Sequence, residues 1–88
     1  SYADARSTAT DEEVRVARRA YRAACQQTQS LDYCECMTGG MAQALAPADL
    51  DIATAAFSGR VVEASPAARA RVSEAQAEVE PGCARYRR

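Results

Sequence analysis

The chain has 88 residues and a formal net charge of −1, which leaves room for one small domain and excludes separate catalytic and substrate domains. Of the 48% that is apolar, half is alanine: there are 21 alanines against 11 Leu, Ile, Val and Phe combined, so the core is thin and covalent support is expected. Histidine and lysine are absent and all 11 basic residues are arginine, which removes the commonest general base and, with the alanine excess, points to a GC-rich, bacterial coding bias.

Residues 1–9 are small and polar without a period and read as a flexible N-terminal tail. Ser1-Tyr2-Ala3-Asp4 has no basic start and no apolar run, as expected of a mature form whose leader has been removed. Residues 10–88 read as a single all-α domain. Its first helix is predicted from Asp11 to Thr28. Thr10 and Glu13 form a capping box, and Asp11, Glu12 and Glu13 suit the positive helix end. At 100° per residue, Val14, Ala17, Tyr21, Ala24 and Thr28 share one side, and Arg15, Arg18, Arg19 and Arg22 share the other.

Ser30-Leu31-Asp32 reads as a short turn before a second helix from Tyr33 to Ala46, with Cys34, Met37, Met41 and Leu45 as its apolar stripe. Gly39-Gly40 inside it costs about 1–2 kcal/mol relative to alanine. Gly40 lies on the side of Cys36, where close helix packing or a kink would explain it. Pro47 suits the first position of a third helix to Ser58, with Leu50, Ala53, Ala56 and Phe57 as its apolar side and Gly59 as the stop. Asp49 and Asp51 suit its first turn. Ser65-Pro66 starts a fourth helix that carries Ala68, Val72, Ala75 and Val79 on one stripe and is expected to stop at Glu80, before Pro81-Gly82. No segment alternates as a strand does.

Four cysteines, Cys25, Cys34, Cys36 and Cys83, predict two disulfides and hence an oxidising compartment. Zinc is disfavoured by the lack of histidine and of paired C-x2-C knuckles. Cys34 and Cys36 lie about 200° apart on one helix and face different neighbours. Pivoting the hairpin about Ser30-Leu31 sets Cys25 level with Cys36, and the buried stripes place Cys34 with Cys83. The expected bridges are therefore Cys25–Cys36 and Cys34–Cys83, with Cys25–Cys34 and Cys36–Cys83 as the chief competitor. Either pairing returns the fourth helix to the turn between the first two and leaves the short third helix as a transverse connector. The expected fold is a small disulfide-stapled bundle of three to four helices. The cysteine-bearing hairpin is loosely similar to that of coiled-coil-helix–coiled-coil-helix proteins, which carry twin C-x9-C pairs, one on each helix. Here the spacing is C-x8-C and the fourth cysteine lies far away, so no family is assigned.

Three groups of residues carry candidate chemistry. Cys34-Glu35-Cys36 is a potential thiol-redox pair. Cys34, Cys36, Met37 and Met41 are a soft-ligand set of the kind that selects Cu(I), although methionines at this spacing ordinarily fill a core. Arg15, Arg18, Arg19 and Arg22, joined by Arg85, Arg87 and Arg88, form a basic face suited to an acidic partner or an anionic surface. Between Leu31 and Ser65, one arginine stands against five acids, so the charge is divided along the chain. No hydrolase or phosphate-loop motif is present, and nucleic-acid binding is not supported by an acidic chain without lysine. The expectation is a secreted or periplasmic, non-catalytic binding or accessory protein: an adaptor, inhibitor or immunity-type subunit with a protein partner in the cell envelope, no cofactor and no transmembrane segment. The alternative is a Cu(I) or thiol-redox carrier.

Overall fold

A computed structural model describes residues 2–87 and is all-helical, with no strand among those residues. Five α-helices follow one another: α1 (Tyr2–Ser7), α2 (Asp11–Gln26), α3 (Leu31–Ala44), α4 (Pro47–Phe57) and α5 (Pro66–Cys83), with a final 3-10 turn at Ala84–Tyr86.

Local chemistry sets most of the boundaries. Thr10 and Glu13 make the reciprocal capping box at the start of α2. Ser65 caps α5 through the Ala68 N–H, with Pro66 behind it. At the end of α4, Gly59 takes a φ of 66°. Its N–H donates to the Ala56 carbonyl, while the Arg60 N–H donates to that of Ala55, the double closure of a Schellman motif. Several boundaries differ from expectation: α2 ends at Gln26 rather than Thr28, α3 at Ala44 rather than Ala46 and α4 at Phe57 rather than Ser58, and two further shifts have identifiable causes. Helix α3 begins at Leu31, because Ser30 is a cap rather than part of a turn: its Oγ accepts the Tyr33 N–H at 3.2 Å. Helix α5 runs through Pro81 to Cys83. The proline removes one backbone donor, but Cys83 is bonded to Cys36 and Glu80 to Tyr33 and Arg87, which hold the last turn in place.

Residues 2–7 are not an unstructured tail. The Tyr2 hydroxyl accepts the Ala46 N–H at 2.5 Å. The Arg71 guanidinium lies over its ring, 4.4 Å from the centroid, and itself pairs with the buried carboxylate of Asp49 at 2.7 Å. Tyr2 thus supplies a partner at the start of α4, where Ala46 has no side chain to cap with.

The core is narrow, as the composition requires. Tyr21, Met37, Met41, Leu50, Thr38, Cys25, Cys34 and Cys83 are its fully buried side chains of appreciable size, and Tyr33, Leu45, Ala17, Ala53 and Ala75 complete it. Buried Thr38 and Thr54 turn their hydroxyls onto the carbonyls of Cys34 and Leu50 in their own helices. Helix α4 packs against α2 and α5, and α3 lies between α2 and α5.

Both bridges are present, with the competing connectivity: Cys25–Cys34 and Cys36–Cys83, each with 5.7 Å between Cα atoms. The expected Cys25–Cys36 and Cys34–Cys83 pairs are not formed. The reason is the early start of α3. With α2 ending at Gln26 and α3 starting at Leu31, the hairpin turns before Ser30, which brings Cys25 level with Cys34. Cys36, on the opposite side of α3, then faces α5. Gly40 lies one turn beyond Cys36 and Val79 one turn before Cys83, and these two also touch. A Cβ built at Gly40 would overlap Val79 Cγ1 and come within 3.0 Å of Cγ2. The bridge and the glycine contact are successive rungs of one antiparallel α3–α5 seam, so α3 continues unbroken through Gly39-Gly40. Helix α5 consequently returns to the α2–α3 turn, as the cysteine arithmetic requires.

Candidate functional site

The arginine row of α2 forms as its spacing predicts. Asp11, Val14, Arg15, Arg18, Arg19 and Arg22 line one shallow, open groove along the solvent side of the helix. Arg15 pairs with Glu12 one turn back, and Arg22 approaches Glu35 of α3 at 3.7 Å. Arg18 and Arg19, at the centre, are exposed and have no carboxylate partner among the described residues. Two guanidinium groups therefore stand in water with their hydrogen-bonding forks uncommitted, a geometry that matches carboxylate or phosphate oxygens.

Arg85 and Arg87 do not extend this row. Arg85 stacks on Tyr86, 4.9 Å from the ring centroid, and donates to its hydroxyl at 3.0 Å. It lines a second open hollow with Asp32, Glu35, Cys36 and Tyr86. Arg87 donates to Glu80 at 2.9 Å and to the Tyr33 hydroxyl at 3.3 Å. Arg88 lies outside the described residues. Since Arg22 and Arg85 both stand beside Glu35, a carboxylate separates the two arginine groups.

Arg87 belongs instead to a polar clasp that the sequence did not reveal. The Tyr33 hydroxyl and Arg87 both donate to Glu80. The Tyr33 bond, then the Arg87 cation, hold the Glu80 carboxyl below its ordinary range. Burial, then the bond to the Glu80 carboxylate, push the Tyr33 phenol up. The Ser30 hydroxyl adds a 2.8 Å bond to the Tyr86 carbonyl. These groups fasten the end of the chain to the α2–α3 turn and are separated by about 50 residues in sequence, so no local signal marks them.

The cysteines do not gather into a soft-ligand cluster. Cys34 and Cys36 are bonded to different partners and no free cysteine remains. Met37 and Met41 are buried in the core. In this oxidised form the sulfur atoms of α3 serve packing and cross-linking. Among the described residues there is no group of three or more His, Cys, Asp or Glu placed to hold a metal ion, and no helix is long and apolar enough to cross a membrane.

Comparison with protein-family models, curated proteins and solved structures finds no match.

Proposed function

We propose that the chain is a small non-catalytic binding or accessory protein of a secreted or periplasmic setting, an adaptor, inhibitor or immunity-type subunit, which engages an acidic surface of an envelope protein through the exposed side of α2. The observation that carries this reading is the pair Arg18 and Arg19, exposed and without carboxylate partners among the described residues, in the middle of a four-arginine groove. The Cys25–Cys34 bridge fastens the end of α2, the helix that carries the groove, to α3, so little backbone ordering entropy is lost on docking. An acidic partner surface would steer encounter and fix register.

The test is a pull-down from envelope extract with the native, oxidised protein, followed by titration of the captured partner. A stoichiometric partner whose affinity falls with salt, and falls by about tenfold or more in the Arg18→Glu/Arg19→Glu variant, is the expected result. Both positions are exposed, so the thermal midpoint of the variant should stay within a few degrees of the parent. Undiminished binding by that variant, or catalytic turnover that depends on free thiols, refutes the reading.

A further inference from the structure

The two bridges differ in exposure. Cys25 and Cys34 are wholly buried, and Cys83 is 2% exposed. Cys36 alone keeps part of its surface open. It borders the hollow shared by Asp32, Glu35, Arg85 and Tyr86. A thiolate must reach a sulfur along the S–S axis, so access governs which bridge exchanges first. The charges around the hollow are mixed, one guanidinium against two carboxylates, and give no strong bias to either sign.

We propose that Cys36–Cys83 is a thiol–disulfide exchange site, entered at Cys36 Sγ by a thiolate of a dithiol reductant, and that opening it frees residues 81–87 while Cys25–Cys34 stays closed. In the first step the incoming thiolate forms a bond to Cys36 Sγ. The bond to Cys83 Sγ breaks, and its electron pair leaves on Cys83, which takes a proton from water. In the second step the other thiolate of the reductant attacks its own sulfur in the mixed disulfide and expels Cys36 as a thiolate, which is protonated. The reductant is oxidised by two electrons and the protein gains two thiols.

Apart from Cys83, the segment so released is exposed. Pro81 contributes no backbone donor. A Cβ added at Gly82 would meet nothing within 4 Å. Beyond Cys83 the ties to the rest of the molecule are the Ser30–Tyr86 bond and Arg87, which pairs with Glu80 and lies on Tyr33. The hairpin keeps its own bridge and the buried stripe of α3. This site shares no lining residue with the arginine groove, which it adjoins through the approach of Arg22 to Glu35.

The test uses the native protein. Limited treatment with dithiothreitol, quenched at intervals with iodoacetamide and mapped by peptide mass, should give a doubly labelled species carrying both labels on Cys36 and Cys83. It should precede the fourfold-labelled species, with the outer bridge opening about tenfold faster or more. With excess glutathione, the trapped mixed disulfide should sit on Cys36. Hydrogen exchange of the doubly labelled species should rise over residues 81–87 and stay slow across α2 and α3. Simultaneous labelling of all four cysteines, earlier labelling of Cys25 and Cys34, a glutathione adduct on Cys83, or unchanged exchange over residues 81–87 each overturns the proposal.

Discussion

The Gly40–Val79 seam makes a paired prediction for two adjacent glycines. Gly39 and Gly40 both sit inside α3, so replacing either with alanine brings the same gain in helix propensity, about 1 kcal/mol. Their surroundings differ. Nothing lies within 4 Å of a Cβ at Gly39. A Cβ at Gly40 would overlap Val79 Cγ1 and lie 3.0 Å from Cγ2 and 3.3 Å from Cβ, against an ordinary carbon contact of about 3.5–4.0 Å. Valine is stiff at χ1 in a helix, so relief requires α5 to move, and overpacking of this kind costs about 1–3 kcal/mol. The propensity gain cancels between the two variants, and that penalty is the whole difference between them. For a domain of this size, each kcal/mol corresponds to about 4–8 °C. Gly39→Ala should melt above the parent, and Gly40→Ala at least several degrees below Gly39→Ala. Adding Val79→Ala to Gly40→Ala should recover part of that gap. Thermal melts and urea titrations of the four proteins, with m-values compared to confirm the same transition, decide it. A Gly40→Ala protein as stable as Gly39→Ala would show that α3 and α5 do not approach each other as described.

Burial drives the Tyr21 phenol up to about 12, and its hydroxyl has no hydrogen-bond partner among the described residues. Because the folded value is the raised one, the stabilisation is fully present below pH 10 and is lost as the pH climbs through about 12, reaching about 1.4 kcal/mol lost at pH 11. Tyr21→Phe should be neutral or stabilising by up to about 1 kcal/mol at pH 7. Urea titrations at pH 9 and 11 should show a smaller alkaline loss for the variant; equal losses would place the ring elsewhere. Pro81→Ala restores a backbone donor inside α5 at some cost in unfolded-chain entropy, with an expected net gain of about 1–2 kcal/mol in a urea titration. A destabilised variant would mean that the helix does not run through this position.

Several helix boundaries were readable because their causes are local. Thr10 with Glu13, Ser65 with Pro66, and Gly59 each satisfy backbone groups within a few residues, and all three act as expected. Ser30 has the same chemistry but stands beside Leu31-Asp32, and reading those three as a turn moved the start of α3 by two residues. That shift alone was enough to favour the wrong cysteine partner, since Cys34 and Cys36 are also two residues apart. The correct pairing left a trace in the sequence: Cys36 and Gly40 are four apart on one helix, as Val79 and Cys83 are on another. A bridge followed one turn later by a glycine opposite a valine is a register that only two packed helices explain. The arginine groove was legible because helical spacing determines it. The Tyr33–Glu80–Arg87 clasp and the Tyr2–Arg71–Asp49 cluster were not, because their members meet only after α5 has folded back and α1 has docked.

Cys34 and Cys36 are separated by a single residue, yet their bridges lead in opposite directions along the chain. A pull applied at the two ends would travel from the N-terminal segment to Cys25, cross to Cys34, pass Glu35, and cross from Cys36 to Cys83. Residues 26–33 and 37–82 lie outside that line of tension. Helix α4, nearly all of α5 and most of α3 would bear no load while the sulfur bonds last, and the molecule could be extended only by unwinding α1 and α2 and straightening the last few residues. A single peptide cut at exposed Val61, within the Cys36–Cys83 loop, would likewise leave both fragments joined as one covalent particle.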